Sequence, residues 1–255
     1  MSTNEVIIEK RPYRWDITLN RPPLNILTSH LMEELIEKLK EIDKDNDVKL
    51  IVIWGNENAW SAGADVKEHL PGKFEEMLRV FSELCEKVRT LPTITIAAVD
   101  GLCLGGGCEL AAMCDLVIAT ERARFGQPEV KVGVFPPIAC AIYPSRLGWS
   151  NALYLLATGE TISAQEANKM GLVFEVVSSA ALHSEIDRLS ELFNSLSAEV
   201  LRLTKRAAVR SLDLAPSLAV EEALQIYQKV LMSTRDAGEG LQAFLEKRKP
   251  VWQNR

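Results

Sequence analysis

The sequence predicts an α/β layered fold that ends in a helical region, and three observations carry that prediction. Segments of strand character alternate with amphipathic helices over residues 1–178. Helical periodicity continues alone over residues 179–255. The chain of 255 residues, 47% hydrophobic and 25% charged, has the composition of a globular protein able to fill one large core. No repeat at a fixed period and no linker divides it. Residues 1–178 are therefore read as an α/β core and 179–255 as a helical C-terminal region, one domain overall.

Each element has its own signal. Alternation over Glu5–Lys10 and Trp15–Leu19, on either side of Pro12, predicts a short antiparallel strand pair. Leu31, Leu35, Leu39 and Ile42 recur at helical spacing behind Thr28 and Ser29, either of which can accept a free N-terminal N–H. Lys49–Trp54 is a short apolar run, expected as a buried strand. Phe74, Met77, Leu78, Phe81, Leu84, Cys85 and Val88 form the stripe of a second helix that stops before Pro92. Thr93–Val99 is the next strand; a glycine-rich loop, a short helix from about Gly106 and the strand Leu116–Thr120 follow. Ser163-Ala-Gln-Glu166 is a capping box opening a helix that Gly171 closes. Leu172–Val177 is expected as a strand, and the pattern is helical from about Ala180 nearly to Trp252.

Charge and composition exclude several functions. Against 29 basic side chains stand 35 acidic ones, a net charge of −6, and no block of like charge offers a footprint for nucleic acid. The longest nearly apolar stretch, Val132–Tyr143, contains Gly133, Pro136 and Pro137 and falls short of the roughly 20 residues that span a bilayer. No membrane partner is expected, and the N-terminal MSTNEVIIEKR lacks a signal pattern, so a cytoplasmic location is expected. Cys85, Cys103, Cys108, Cys114 and Cys140 form no Cys-x-x-Cys pair and stand apart in sequence from His30, His69 and His183. Neither a metal site nor a disulfide framework is expected.

The segment Asp100-Gly-Leu-Cys-Leu-Gly-Gly-Gly-Cys-Glu-Leu-Ala-Ala-Met-Cys-Asp115 is the most informative. Gly105, Gly106 and Gly107 open an apolar helix, although each glycine costs roughly 1 kcal/mol relative to alanine inside one. Bare backbone at a helix N-terminus presents unpaired N–H groups to a developing anion, so the loop reads as an oxyanion site; a tight turn with close helix packing is the plainer alternative. The dinucleotide fingerprint fails because Leu110 stands where its third glycine belongs, and neither a phosphate-loop Gly-Lys-Ser/Thr nor a Gly-x-Ser-x-Gly elbow occurs. Glu109, three residues after Gly106, shares its helix face and has apolar neighbours that would raise its pKa on burial. Glu129 follows Phe125-Gly-Gln-Pro128 in another apolar stretch. Alone, each glutamate reads as a solvated surface residue; two carboxylates beside a glycine-made anion site are a more specific proposition. The small residues of Trp60-Ser-Ala-Gly-Ala-Asp65 would expose backbone in a second loop, although alone it reads as an ordinary strand-to-helix connection.

Taken together, Ser61-Ala-Gly-Ala-Asp65, Gly105-Gly-Gly-Cys-Glu109 through Asp115, and Phe125-Gly-Gln-Pro-Glu129 resemble the crotonase family, the enoyl-CoA hydratase superfamily. The similarity runs on through Leu156-x-x-Gly159-x-x-Ile162-Ser-Ala-x-Glu-Ala167 and Phe244-Leu-Glu-Lys-Arg-Lys249, so it covers essentially the whole chain. It implies a core of repeated β-β-α units, a helical C-terminal region for assembly and the CoA pocket, and a homotrimer or dimer of trimers. It also implies an acyl-CoA thioester substrate and no separate cofactor, coenzyme A being part of the substrate. By resemblance the N–H groups of Ala64 and Gly106 hold the thioester oxygen as it becomes an enolate. Glu109 and Glu129 match the two catalytic carboxylates, Ala62, Asp65 and Val66 the CoA-binding loop, and Phe244 and Lys247 positions that often contact CoA.

Two intact glutamates favour water addition or elimination. One departure bears on the substrate: where straight-chain hydratases carry Gly-x-x-Pro-Gly-x-Gly-Gly, this chain has Gly133-Val-Phe-Pro-Pro137-Ile-Ala-Cys140. Pro137 has no N–H for a catalytic water, and Ile138, Ala139 and Cys140 replace small positions beside the acyl pocket. Phe135 and Pro137 are thus substrate-contact candidates. The segment resembles alicyclic dienoyl-CoA hydratases, so the expected substrate is a cyclic dienoyl-CoA, cyclohexa-1,5-diene-1-carbonyl-CoA, of anaerobic aromatic degradation. The alternatives are a generic enoyl-CoA hydratase of fatty-acid oxidation, an enoyl-CoA isomerase, and a non-catalytic acyl-CoA-binding subunit.

Overall fold

The computed structural model describes residues 4–212 and 214–255. Its strands are β1 (Val6–Arg11), β2 (Arg14–Leu19), β3 (Leu50–Trp54), β4 (Ala59–Ser61), β5 (Ile94–Val99), β6 (Leu102–Leu104), β7 (Leu116–Thr120), β8 (Arg124–Gly126), β9 (Thr161–Ser163) and β10 (Glu175–Val177). Its helices are α1 (Ser29–Ile42), α2 (Phe74–Thr90), α3 (Gly106–Met113), α4 (Pro137–Leu147), α5 (Trp149–Thr158), α6 (Ala164–Met170), α7 (Leu182–Asn194), α8 (Ala198–Leu212), α9 (Pro216–Lys229) and α10 (Arg235–Leu245).

Two sheets form. One has six strands in the order β1-β2-β3-β5-β7-β10, parallel except for the β1–β2 hairpin; the other is β4-β6-β8-β9, antiparallel only at β8–β9. In each of three successive β-β-α units the first strand enters the large sheet and the second the small one: β3-β4-α2, β5-β6-α3 and β7-β8-α4. This is the expected architecture.

The central strands β3, β5 and β7 are apolar apart from Thr95 and Thr120 because both faces of the large sheet are covered. Ile51, Ile53, Ala97, Val99, Val117 and Ala119 enter the main core with the buried stripes of α1 and α2. Their alternate neighbours Leu50, Val52, Ile96, Ala98 and Ile118 meet Leu182, Ile186 and Leu189 of α7 on the other face. Thr28, not Ser29, caps α1 through its accepted bond from Leu31 N–H. The capping box forms at Ser163 and Glu166, and Gly171 closes α6 in the left-handed region.

One expectation is corrected, and one helix forms where the sequence reading assigns no element. The last strand covers only Glu175–Val177, because the N–H groups of Leu172 and Val173 still bond back to Ala167 at the end of α6. The stretch Val132–Tyr143, legible only as an apolar segment, contributes most of α4. Pro137 stands at its first position, where no N–H is required.

The helical region is fastened to the core by a nearly buried cation. Lys205 of α8 donates to Asp115 Oδ2 at 2.7 Å and to the Thr93 carbonyl at 3.0 Å, and the same Asp115 oxygen accepts from Thr95 N and Oγ1. Removing one partner of such a pair leaves an unpaired charge in a poorly solvated place. Lys205→Met is expected to cost about 3 kcal/mol, the lower end of the range for breaking a buried pair because Asp115 keeps some exposure. Urea unfolding checks this; a loss under about 1 kcal/mol would mean that water already screens the pair.

Candidate active site

The site begins where two backbones touch without side chains between them. Gly105 has φ +51°, and a Cβ there would lie 2.6 Å from Glu129 Oε1. A Cβ on Gly107 would lie 2.5 Å from the Ser61 carbonyl oxygen, and one on Gly106 would sit 3.3 Å from Ala64 N. The glycines therefore let the first turn of α3 press against the loop 61–65.

This contact brings two free donors together. Leu27 forms a parallel bridge with Ala64 in which Leu27 N–H donates to the Gly63 carbonyl and Asp65 N–H donates to the Leu27 carbonyl. Such a bridge uses the groups flanking Ala64 and turns its own N–H the other way, toward the glycine loop. Gly106 stands at the first position of α3, where N–H groups lack intrahelical acceptors. Neither N–H finds an acceptor among the described residues.

Glu109 lies one turn into α3, 3% exposed. Its Oε1 accepts the Ala139 N–H at 2.8 Å, a donor left free at the start of α4. Burial pushes its pKa up to about 7 and the charge of Glu129 adds to the rise, while the N–H groups of Ala139 and Ile138 oppose it. Glu129 stands on the 3-10 turn Pro128–Val132. Burial raises its pKa as well, an internal backbone bond and His69 oppose the rise, and its Oε2 is buried without a partner. Two carboxyl groups that interact and titrate toward neutrality can between them give one proton and take another.

The remaining candidates fall into three groups. Asp65 caps the 3-10 turn Val66–His69 by accepting Lys67 N–H at 2.9 Å, with Ala62 before it and Val66 exposed beside it. Phe135 is exposed in the approach to α4, and Pro137 opens that helix. Phe244, at 83% exposure, and Lys247 lie at the end of α10, which packs on α8. Among the described residues no hydrogen bond joins either to Ala64, Gly106, Glu109 or Glu129. Two contributions escape the sequence: the N–H of Ala139, a residue read there only as part of the acyl-pocket wall, and His69, whose Nδ1 lies 3.0 Å from the Asp65 carbonyl. Pro137 was the available sign of the first, because proline at a helix start announces free N–H groups just after it.

The enoyl-CoA hydratase/isomerase family profile matches residues 15–255. A probable enoyl-CoA hydratase of Rhizobium meliloti is 40% identical over 258 residues, covering 100% of each chain. The cyclohexa-1,5-dienecarbonyl-CoA hydratase of Thauera aromatica is 34% identical over 241 residues, 94% of this chain and 92% of that one. Among solved structures, an enoyl-CoA hydratase from Bacillus anthracis superposes with a TM-score of 0.91 at 33% identity, over 98% of this chain and 100% of its own.

The buried Glu109 predicts a pH-dependent penalty. An acid whose pKa rises on folding, here from 4.5 to about 7, holds its proton more tightly in the native state. Its stabilising effect is complete at pH 4 and is lost as the pH climbs through 7, by about 3 kcal/mol in all. Glu109→Gln should therefore match the parent at pH 4 and exceed its stability at pH 8 by about 2–3 kcal/mol. Urea midpoints at the two pH values measure the difference; equal midpoints at both would place the carboxylate in water.

Proposed function

Since the chain belongs to the enoyl-CoA hydratase/isomerase family, we propose that it is a hydratase that adds water to, or removes it from, an enoyl-CoA thioester. In this reading one glutamate takes a proton from water as the oxygen bonds to the β-carbon. The π electrons move onto the thioester oxygen, and the other glutamate gives its proton to the α-carbon. The N–H groups of Ala64 and Gly106 hold the enolate oxygen between these events, with no reorganisation needed at the moment charge develops. The observation that carries the assignment is the pair of carboxyl groups, the buried Glu109 and the half-buried Glu129, beside two free backbone donors. An isomerase needs only one proton shuttle, and a binding subunit needs none.

Coenzyme A is assigned to the loop of Ala62, Asp65 and Val66, and to Phe244 and Lys247 at the far end of the chain. Large exposed apolar side chains on α9 and α10, among them Leu218, Leu224, Leu241 and Leu245, support assembly as a homotrimer or a dimer of trimers.

For the acyl group the generic enoyl-CoA reading stands first, because relatives at 38–40% identity are named enoyl-CoA hydratases and the cyclic dienoyl-CoA hydratase is more distant. The cyclic reading keeps one observation in its favour, the Phe135-Pro-Pro137 segment leading into α4.

Crotonyl-CoA and cyclohexa-1,5-diene-1-carbonyl-CoA, each assayed for turnover and for solvent oxygen-18 in the product, test both levels. Label-free isomerised product would replace the hydratase reading with an isomerase. Glu109→Gln and Glu129→Gln should each reduce kcat about a hundredfold or more, since positioned acid and base groups contribute 10²–10⁴. A variant with parental turnover would remove that residue from the mechanism. Pro137→Gly, which restores an N–H, should raise the linear-to-cyclic ratio of kcat/KM about two- to tenfold if the segment sets acyl preference. An unchanged ratio would make Phe-Pro-Pro a matter of local packing.

A further inference from the structure

Three buried polar side chains, on three different segments, meet at one hydroxyl and take no part in the chemistry above. Gln127 Nε2 donates to Tyr143 Oη at 2.7 Å. Cys108 Sγ lies 3.2 Å from the same oxygen, and the Cys108 carbonyl is within 3.5 Å as an acceptor for its proton. Tyr143 and Gln127 are fully buried and Cys108 nearly so.

Each member is a short step along the backbone from a group in the site. Cys108 immediately precedes Glu109, and Gln127 stands two residues before Glu129. Tyr143 is one helical turn after Ala139, the residue whose N–H holds Glu109. The node is also more polar than packing demands. Gln127 Oε1 is buried without a partner, so an apolar side chain of the same volume would leave fewer polar atoms unpaired. Directional bonds at this point fix relative positions that apolar contact would leave freer to slide.

We propose that Tyr143 is a positioning residue whose hydroxyl holds in register the three segments that carry Glu109, Glu129 and the Ala139 N–H. It touches no reacting atom and acts through the groups it aligns. Loosening it should weaken the Ala139 bond to the Glu109 carboxylate, and losing a donor to the charged form raises the pKa of an acid. The other groups facing Glu109 are Glu129 from the 128–132 turn, Cys85 from α2 and Cys140 from α4. None of these is altered when the hydroxyl is removed.

The experiment compares the parent with Tyr143→Phe and with the double variant Gln127→Leu/Tyr143→Phe, which also removes the stranded amide. Carbon-13 NMR of labelled glutamate carboxyls, with the Glu109 signal assigned by its loss in Glu109→Gln, follows the titration directly. In both variants Glu109 is expected to titrate about half a unit to one unit higher than in the parent. With an accepted enoyl-CoA, kcat should fall about tenfold while KM stays within about twofold. The double variant should regain thermal stability relative to Tyr143→Phe without regaining kcat. An unmoved Glu109 titration, or a kcat that recovers together with Tm in the double variant, overturns the proposal and leaves the node a packing feature. The kinetic arm rests on the hydratase reading, whereas the NMR arm does not. A parent inert toward every enoyl-CoA would therefore defeat that reading while the titration still decides the role of Tyr143.

Discussion

Everything in the site depends on a contact that excludes side chains. The loop 61–65 and the first turn of α3 approach so closely that a Cβ on Gly107 would overlap the Ser61 carbonyl, and one on Gly105 would overlap the Glu129 carboxylate from the neighbouring turn. Because they can approach, the N–H of Ala64 and that of Gly106 face one space, and Glu129 can lie against Gly105. The folding cost of three glycines at a helix start is the cost of that proximity. The β-β-α repeat delivers the two sides of the contact: β4 and β6 are neighbours in the small sheet, and each is followed by one of the touching loops.

The second constraint is electrostatic. A buried carboxyl group normally finds a cation, and here Glu109 finds a backbone N–H and another carboxyl group instead. The α4 N-terminus moderates the penalty and does not remove it, which keeps the pKa near neutrality rather than far above it. A stronger partner would leave Glu109 too acidic to hold a proton, and no partner would leave it too basic to release one. In the proposed mechanism this incomplete satisfaction of Glu109 is what lets it exchange a proton near neutral pH.

Most of the fold was legible because its determinants are local. Thr28 as a cap, the Ser163–Glu166 box, the apolar runs of β3, β5 and β7 and the stripes of α1 and α2 all act within a few residues of themselves. The small sheet was not legible, since β4, β6, β8 and β9 are three residues each and carry no period to read. Helices α4 and α5 were hidden by prolines and by an apolar content that fits a buried strand as well as a helix. In the site, Glu109, Glu129 and the glycine loop stood out by chemistry that is odd for their surroundings. Ala139 did not, because its contribution is a main-chain N–H and its side chain says nothing of it. The meeting of Gln127, Cys108 and Tyr143 is set by tertiary placement over 16 and 35 residues of sequence separation.

The use of main-chain donors on both sides of the glycine contact has a consequence for divergence. A side-chain donor is lost by one codon change, whereas the N–H of Ala64 survives nearly any substitution except proline. Glu109 and Glu129 have no such protection: each can be exchanged alone while the loop and helix that carry it keep their shape. In the proposed mechanism the anion-holding half of the site is inherited with the backbone, and the proton-moving half is open to revision one residue at a time. Descendants of this chain could trade water addition for another reaction through an enolate without first having to invent a new way to hold one.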